Sequence, residues 1–211
     1  RDRSPSRGLG DVYKRQDEPG ANTIVLAEGA NGILEPGSAA RAVALLEPAL
    51  VVTQCEVPSA TIRAGLNARP SGSISVLNAS PLAPNSSLPM DLVDLLVVNE
   101  IEASDLLDAK VTPASAADAT KRLATDVTRG CVLTMGSLGI VAHVDGEPHR
   151  LDGHSVKAID TTGAGDAFCG AMAAALATDH SVRTALAWGN AAGALAATRP
   201  GAQPSMPARQ E

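Results

Sequence analysis

Asp160-Thr161-Thr162-Gly163-Ala164-Gly165-Asp166 joins a short run, Val156–Asp160, to an alanine-rich stretch, Ala164–Ala177. The run reads as a last strand and the stretch as a helix, so the heptapeptide is a strand-to-helix turn. Gly163, Ala164 and Gly165 leave the first amides of the helix bare, and the helix dipole adds partial positive charge at the same place. That combination suits an anion. Asp166 falls in the first helical turn, beside wherever a phosphate would lie. A carboxylate there is a poor phosphate binder but a sensible general base for a hydroxyl attacking that phosphate. The same spacing also serves a tight turn whose Asp merely complements the helix N-terminus. Two rival glycine loops fail. A P-loop needs a Gly-Lys pair, and the chain has none. A dinucleotide fingerprint needs GxGxxG between two parallel strands; Gly163, Gly165 and Gly170 have another spacing, and no strand pattern follows the helix.

Upstream of this turn, short apolar runs alternate with longer helical stretches. Strands are expected at Thr23–Ala27, Ala49–Thr53, Ser73–Leu77, Asp94–Val98 and Cys131–Thr134. Helices are expected at Pro36–Leu46, with proline in the first turn, at Pro58–Ala68, from Glu100, and across Ala114–Arg129. Near-continuous apolar strands in a βαβα rhythm predict an α/β fold with a mostly parallel sheet covered by helices on both faces. The rhythm then changes: Gly139–Val144 and Glu147–Leu151, joined across Asp145-Gly146, predict an antiparallel hairpin. Two helices close the chain, Ala164–Ala177 and Val182–Ala197; the first is so rich in alanine and glycine that it must pack closely. No repeats or internal linker appear, which predicts one domain.

Among 211 residues only Tyr13, Phe168 and Trp188 are aromatic, which excludes a stacking platform for single-stranded nucleic acid. The net charge of −6 argues against nucleic-acid or anionic-membrane partners. Residues 1–16, RDRSPSRGLGDVYKRQ, hold five basic and two acidic residues; removing their +3 from −6 leaves −9 on the rest. With no apolar periodicity and no signal-peptide core, this leader reads as neither signal peptide nor strand, and as a disordered or non-native segment ahead of residues 17–211. Cys55, Cys131 and Cys169 are an odd, scattered set without CxxC spacing, which fits small buried hydrophobes in a reduced, cytoplasmic protein. The four histidines show no zinc-ligand spacing, and no apolar run reaches membrane-spanning length.

DTTGAGDAF (160–168) resembles the signature of the ribokinase/PfkB family of carbohydrate kinases, which is a three-layer α/β sandwich. The resemblance extends through VNEIEASDLL (98–107), LTMGSLG (133–139) and TRPGAQPSMP (198–207), in the family's order, and covers Asn22–Pro207. AEGAN (27–31) and TQCEVP (53–58) resemble the ribokinase branch in particular. The resemblance implies ATP-dependent phosphorylation of a sugar's primary hydroxyl, D-ribose to D-ribose 5-phosphate in that branch. Asp166 would be the general base and a sugar contact, with the amides of Gly163, Ala164 and Gly165 as the anion hole for the transferring phosphoryl group.

On the same resemblance, Asn99 and Glu102 organise Mg²⁺ and its waters around the nucleotide phosphates. By spacing alone the pair is a capping box, with Asn99 at the N-cap and Glu102 at N3; the two roles are compatible. Thr134, Met135, Gly136, Ser137, Leu138 and Gly139 would line ribose and adenine, and Asn190 would contact adenine. By pattern alone these are a glycine turn and a polar residue on a helix face. Asp160, Thr162, Ala196, Arg199, Gly201 and Ser205 would enclose a K⁺ ion that activates the enzyme, with side-chain oxygens from Asp160 and Ser205 and carbonyls from the rest. Glu56 resembles a sugar-contacting glutamate; a solvated loop carboxylate is the other reading.

Family members carry a further stretch ahead of Asn22, with an early sugar-binding Asp, a Gly-Gly motif and the strands of a lid that often forms a homodimer. None of these is found here, so the resemblance implies an N-terminally truncated or misassembled chain that phosphorylates sugar poorly or not at all by itself. Fructokinases, 2-keto-3-deoxygluconate kinases and nucleoside kinases share the nucleotide half, and a non-catalytic nucleotide-binding domain is a further alternative.

Overall fold

The computed structural model describes residues 12–17, 21–26, 29–83 and 86–211. Strands β1 (Val12–Asp17) and β2 (Ala21–Leu26) pair antiparallel as a sheet of their own, Val12 opposite Leu26 and Asp17 opposite Ala21. Two expectations are corrected here. Val12–Gln16, read above as strandless, form most of β1, and the TIVLA strand belongs to this pair and not to the parallel sheet. The pairing is made by backbone hydrogen bonds, which the unalternating VYKRQD does not announce in its side chains. Ala27 and Glu28 of the AEGAN run lie outside the described residues.

The main sheet has six strands in chain order: β3 (Leu50–Gln54), β4 (Ile74–Asn78), β5 (Leu95–Asn99), β6 (Gly130–Thr134), β7 (Ile140–Val144) and β8 (Glu147–Leu151). β3 to β6 are parallel, while β7 and β8 return antiparallel as the predicted hairpin. Helices precede or connect the other strands, α1 (Gly29–Gly32) and α2 (Pro36–Leu46) before β3, α3 (Ser59–Asn67) before β4, and α4 (Glu100–Leu107) and α5 (Ala116–Leu123) between β5 and β6, whereas the described residues between β4 and β5 hold only a 3₁₀ turn, Met90–Leu92. α6 (Ala164–Leu176) and α7 (Val182–Ala196) follow the hairpin.

The pleat sorts the core into two layers. Leu77, Leu96, Val98, Cys131 and Leu133 face α3, α4 and α5, meeting Ile62, Leu66, Ala103 and Leu123. Val76, Leu95, Val97, Val132 and Ile140 face the opposite way, against Phe168, Met172, Leu176 and Leu186 of α6 and α7. Each of these fully buried aliphatic side chains contributes about 1.5–3 kcal/mol. Burial on both faces is why the strands read as unbroken apolar runs. The close packing expected of the alanine-rich helix is present: a Cβ on Gly189 of α7 would stand 2.8 Å from the Phe168 ring, and one on Gly193 3.1 Å from the Ala164 carbonyl.

Two further boundaries differ from expectation. The helix predicted across Ala114–Arg129 stops at Leu123 and tightens into a 3₁₀ turn over Ala124–Asp126. Beyond it the amides of Thr128 and Arg129 are taken by the carbonyls of Val93 and Asp94, which draws the chain to the foot of β5. Val156–Asp160 is not a strand. The amides of Ile159 and Asp160 donate to the Ala197 carbonyl at 2.8 and 3.3 Å, so the segment is tied to the end of α7 and joins no ladder. No helix among the described residues is long and apolar enough to cross a membrane.

Candidate active site

Each of the four parallel strands ends on a polar residue: Gln54, Asn78, Asn99 and Thr134. Gln54 stands opposite Asn78 in the ladder, and Asn99 opposite Thr134. Alternation places all four on the α6/α7 face of the sheet, in line with Val76, Leu95 and Val132. The carboxyl ends of parallel strands are where open α/β sheets bind ligands. α6 begins over this edge. Its N-cap is Gly163, at φ +77°, and no side chain caps it. A side chain at Gly163 would be strained by that φ, and its Cβ would lie 3.2 Å from the Ala202 backbone. No acceptor among the described residues meets the amides of Gly163 and Gly165, whereas Ala164 donates to the Thr161 carbonyl at 3.2 Å. Of the three expected anion-hole amides, that of Ala164 is therefore engaged within the turn.

Asp166 is exposed in the first turn of α6, and its Oδ1 accepts a 2.6 Å hydrogen bond from Gln54 Nε2. Gln54 is a residue that sequence patterning missed, as is Asn78, which is only 6% exposed. The signal available was the shared form of the runs LVVTQ, ISVLN and LLVVN, each closing on an amide. Glu56 is exposed just past β3.

The capping box at α4 is complete. Asn99 Oδ1 accepts the amides of Ile101 and Glu102, both at 2.9 Å, and Glu102 Oε2 accepts the amide of Asn99 at 2.8 Å. Glu102 is nearly buried, and burial pushes its carboxyl above the usual range, against the opposing pull of hydrogen bonds from Asn99 and Ser80. Burial, with the Glu102 charge second, pushes the Cys55 thiol up to about 11. Burial, with Asp166 and then Glu102 adding, pushes Cys169 up to about 12. Both shifts favour the protonated thiol, the less reactive form.

Asp160 ties two loops together. Its Oδ1 accepts the Thr162 amide and its Oδ2 the Gly201 amide, each at 3.0 Å. Ser205 is fully buried, with Oγ donating to the Ala202 carbonyl at 2.7 Å, and the Ala196 carbonyl accepts the Arg199 amide. The six residues expected around a monovalent cation therefore belong to two loops held against each other, Asp160 and Thr162 in one and Arg199, Gly201 and Ser205 in the other, with Ala196 at the end of α7. Their carboxylate, hydroxyl and carbonyl oxygens are the donor chemistry such an ion takes. Among the described residues no group of three or more His, Cys, Asp or Glu gathers as a metal cage. The lone carboxylate of the Asn99/Glu102 pair instead fits a Mg²⁺ ion that keeps its waters and is carried by phosphate.

Thr134 closes β6, its hydroxyl reaching the Val98 carbonyl at a long 3.4 Å. Gly136–Leu138 form a 3₁₀ turn in which the Met135 amide donates to the Gly139 carbonyl. Met135 is buried in the α3–α5 core, so its side chain points away from the site; Gly136, Ser137 and Leu138 are exposed. Gly139 sits at φ +90° against the Leu151 carbonyl, where any Cβ would collide. A cleft of about 830 Å³ runs beside α6 and α7, with Asp166, Asn190, Asp152 and His154 on its walls. Asn190 Nδ2 donates to the Asp152 carbonyl at 2.9 Å. Asn190 and Asp166 thus border one cavity, and neither Thr134–Gly139 nor Gly163–Gly165 lines it.

An uncapped helix start and an exposed carboxylate thus stand over the strand ends, where open α/β sheets bind their ligands. Residues 13–209 match the model of the pfkB family carbohydrate kinases, and the chain belongs to that family. The match begins inside the stretch read above as a leader. The chain is 34% identical over 195 residues to the ribokinase of Haemophilus influenzae, covering 90% of this chain and 63% of that protein. It is 33% identical over 203 residues to the ribokinase of Mus musculus, covering 91% and 62%. Among solved structures, the ribokinase of Thermotoga maritima superimposes with a TM-score of 0.82 at 28% identity, over 95% of this chain and 67% of that one. The ribokinase of Arabidopsis thaliana complexed with ribose and ATP does so at 0.81 and 26%, over the same shares. The chain spans under two thirds of the length of these two curated relatives.

Proposed function

We infer that this chain carries the phosphoryl-transfer site of an ATP-dependent sugar kinase whose substrate is D-ribose, giving D-ribose 5-phosphate and ADP. The observation that carries this reading is the exposed Asp166 carboxylate in the first turn of α6, one residue past the unengaged amide of Gly165 and over the ends of the parallel strands. Asp166 takes the proton from the sugar's primary hydroxyl as that oxygen attacks the γ-phosphorus and the bond to ADP breaks. Charge developing on the transferred group meets the Gly163 and Gly165 amides and the helix dipole. Since no P-loop lysine is present, neutralisation falls to those amides and to cations. Mg²⁺, when bound with the nucleotide, would supply Lewis-acid neutralisation of the phosphate oxygens. Asn99 and Glu102 would orient its waters, the carboxylate fixed by the Asn99 amide. Asp160, with its bonds to Thr162 and Gly201, keeps the anion-hole turn in one conformation, and a K⁺ ion among the neighbouring oxygens would reinforce it. Glu56 would accept a hydrogen bond from a sugar hydroxyl.

The choice of ribose is supported by the ribokinase relatives and by the Arabidopsis ribokinase that holds ribose and ATP. ADP release measured with D-ribose, D-fructose, 2-keto-3-deoxygluconate and a nucleoside tests it. D-ribose is expected to give the highest kcat/KM. A higher value for another acceptor overturns the substrate, and measurable ATP binding with ADP release that no acceptor changes favours the non-catalytic nucleotide-binding domain.

A further inference from the structure

The contact between Gln54 and Asp166 joins residues 112 positions apart, and it is the sole hydrogen bond that the described residues place on the Asp166 carboxylate. An exposed aspartate at a helix start has several rotamers open to it. Gln54, by contrast, closes a strand: its backbone lies in register with Asn78, and the next amide, that of Cys55, donates to the Ser80 carbonyl at 3.1 Å. A donor on so fixed a base selects one carboxylate orientation. With Oδ1 occupied, Oδ2 is the oxygen left for an incoming hydroxyl. A neutral amide does this without the full counter-charge that a lysine would set against the carboxylate.

We propose that Gln54 is a positioning residue, which holds Asp166 through the Nε2–Oδ1 hydrogen bond so that Oδ2 faces the acceptor hydroxyl. The proposal rests on Asp166 acting as the base. It couples β3, which leads two residues later to Glu56, to the reacting end of α6. A general base displaced by about 1 Å loses on the order of 10²-fold in rate, so removing the donor is expected to lower kcat by about 10–100-fold.

The test compares the chain with its Q54M, Q54A and Q54N variants in ribose-dependent ADP release, alongside ¹H–¹⁵N spectra of the Gln54 side-chain amide. Methionine keeps the length and much of the volume of glutamine but has no donor. Asparagine has the donor but is one methylene short. All three are expected to lose kcat by a similar factor while KM for ATP stays within about threefold, the signature of an interaction used in the transition state. If Q54M retains kcat within about twofold of the unsubstituted chain, Gln54 only packs there and the proposal is overturned. Should the chain turn over no sugar, the spectra alone decide the positioning. The Gln54 amide signal is expected to move in D166A; an amide already at its free position before that substitution overturns the proposal.

Discussion

Replacing Asp160 by asparagine tests whether the turn ahead of α6 is held by that one carboxylate. Both oxygens are committed, Oδ1 to the Thr162 amide and Oδ2 to the Gly201 amide, each at 3.0 Å. Asparagine keeps one acceptor and turns the other oxygen into a donor that faces a backbone N–H. The variant loses one hydrogen bond to a charged group, weakens the other by removing the charge, and leaves an amide unpaired. Hydrogen bonds to charged groups are worth about 1.5–3 kcal/mol each, so D160N should cost about 2 kcal/mol. For a chain of this size that lowers Tm by about 4–8 °C. D160A, which removes both acceptors, should fall further. Thermal unfolding followed by far-ultraviolet circular dichroism reads both values. If D160N melts within about 1 °C of the unsubstituted chain, the carboxylate does not hold the two loops and the reasoning fails.

The capping box gives a second test: N99A should cost about 1 kcal/mol, because two amides lose their acceptor, whereas N99D should retain most of it. Urea unfolding measures the difference. Asp145, paired with Arg129 at 2.6 Å, is held below the usual carboxylate range by that guanidinium. A depressed carboxylate stabilises the fold above its unfolded pKa, and the contribution is lost as pH falls through the folded value. Asp145 is about half exposed, and its pair is screened, so D145N should cost under about 1 kcal/mol at neutral pH. That difference should vanish on acidification below the carboxylate range. Replacing K⁺ by Na⁺ or Li⁺ should lower turnover; indifference would remove the cation from the account.

The sheet was legible where burial writes itself into composition. Leu95–Val98 and Cys131–Leu133 are packed on both faces and read as apolar runs within a residue of their true bounds. Val156–Asp160 misled for a related reason: Val156 and Ile159 suit a strand, but the amides of Ile159 and Asp160 go to the Ala197 carbonyl and no ladder receives the segment. β1 was invisible because its pairing with β2 is a backbone event. At the site, Asn99 and Glu102 were legible because a capping box is local. Asp166 was legible because it follows a glycine turn. Gln54 reaches Asp166 from another element 112 residues away, and no spacing encodes such a meeting. The engaged amide of Ala164 likewise follows from the turn's actual path and not from the identity of its residues.

On the proposed function, Asp166 is the base of a sugar phosphorylation. The most direct measurement of that role is steady-state ADP formation with D-ribose by the chain and by D166N, with ATP affinity measured in parallel. Ribose-dependent ADP release, a fall in kcat of about 10²–10⁴ in D166N, and nearly unchanged ATP binding are expected. Turnover in D166N equal to that of the unsubstituted chain would contradict that role.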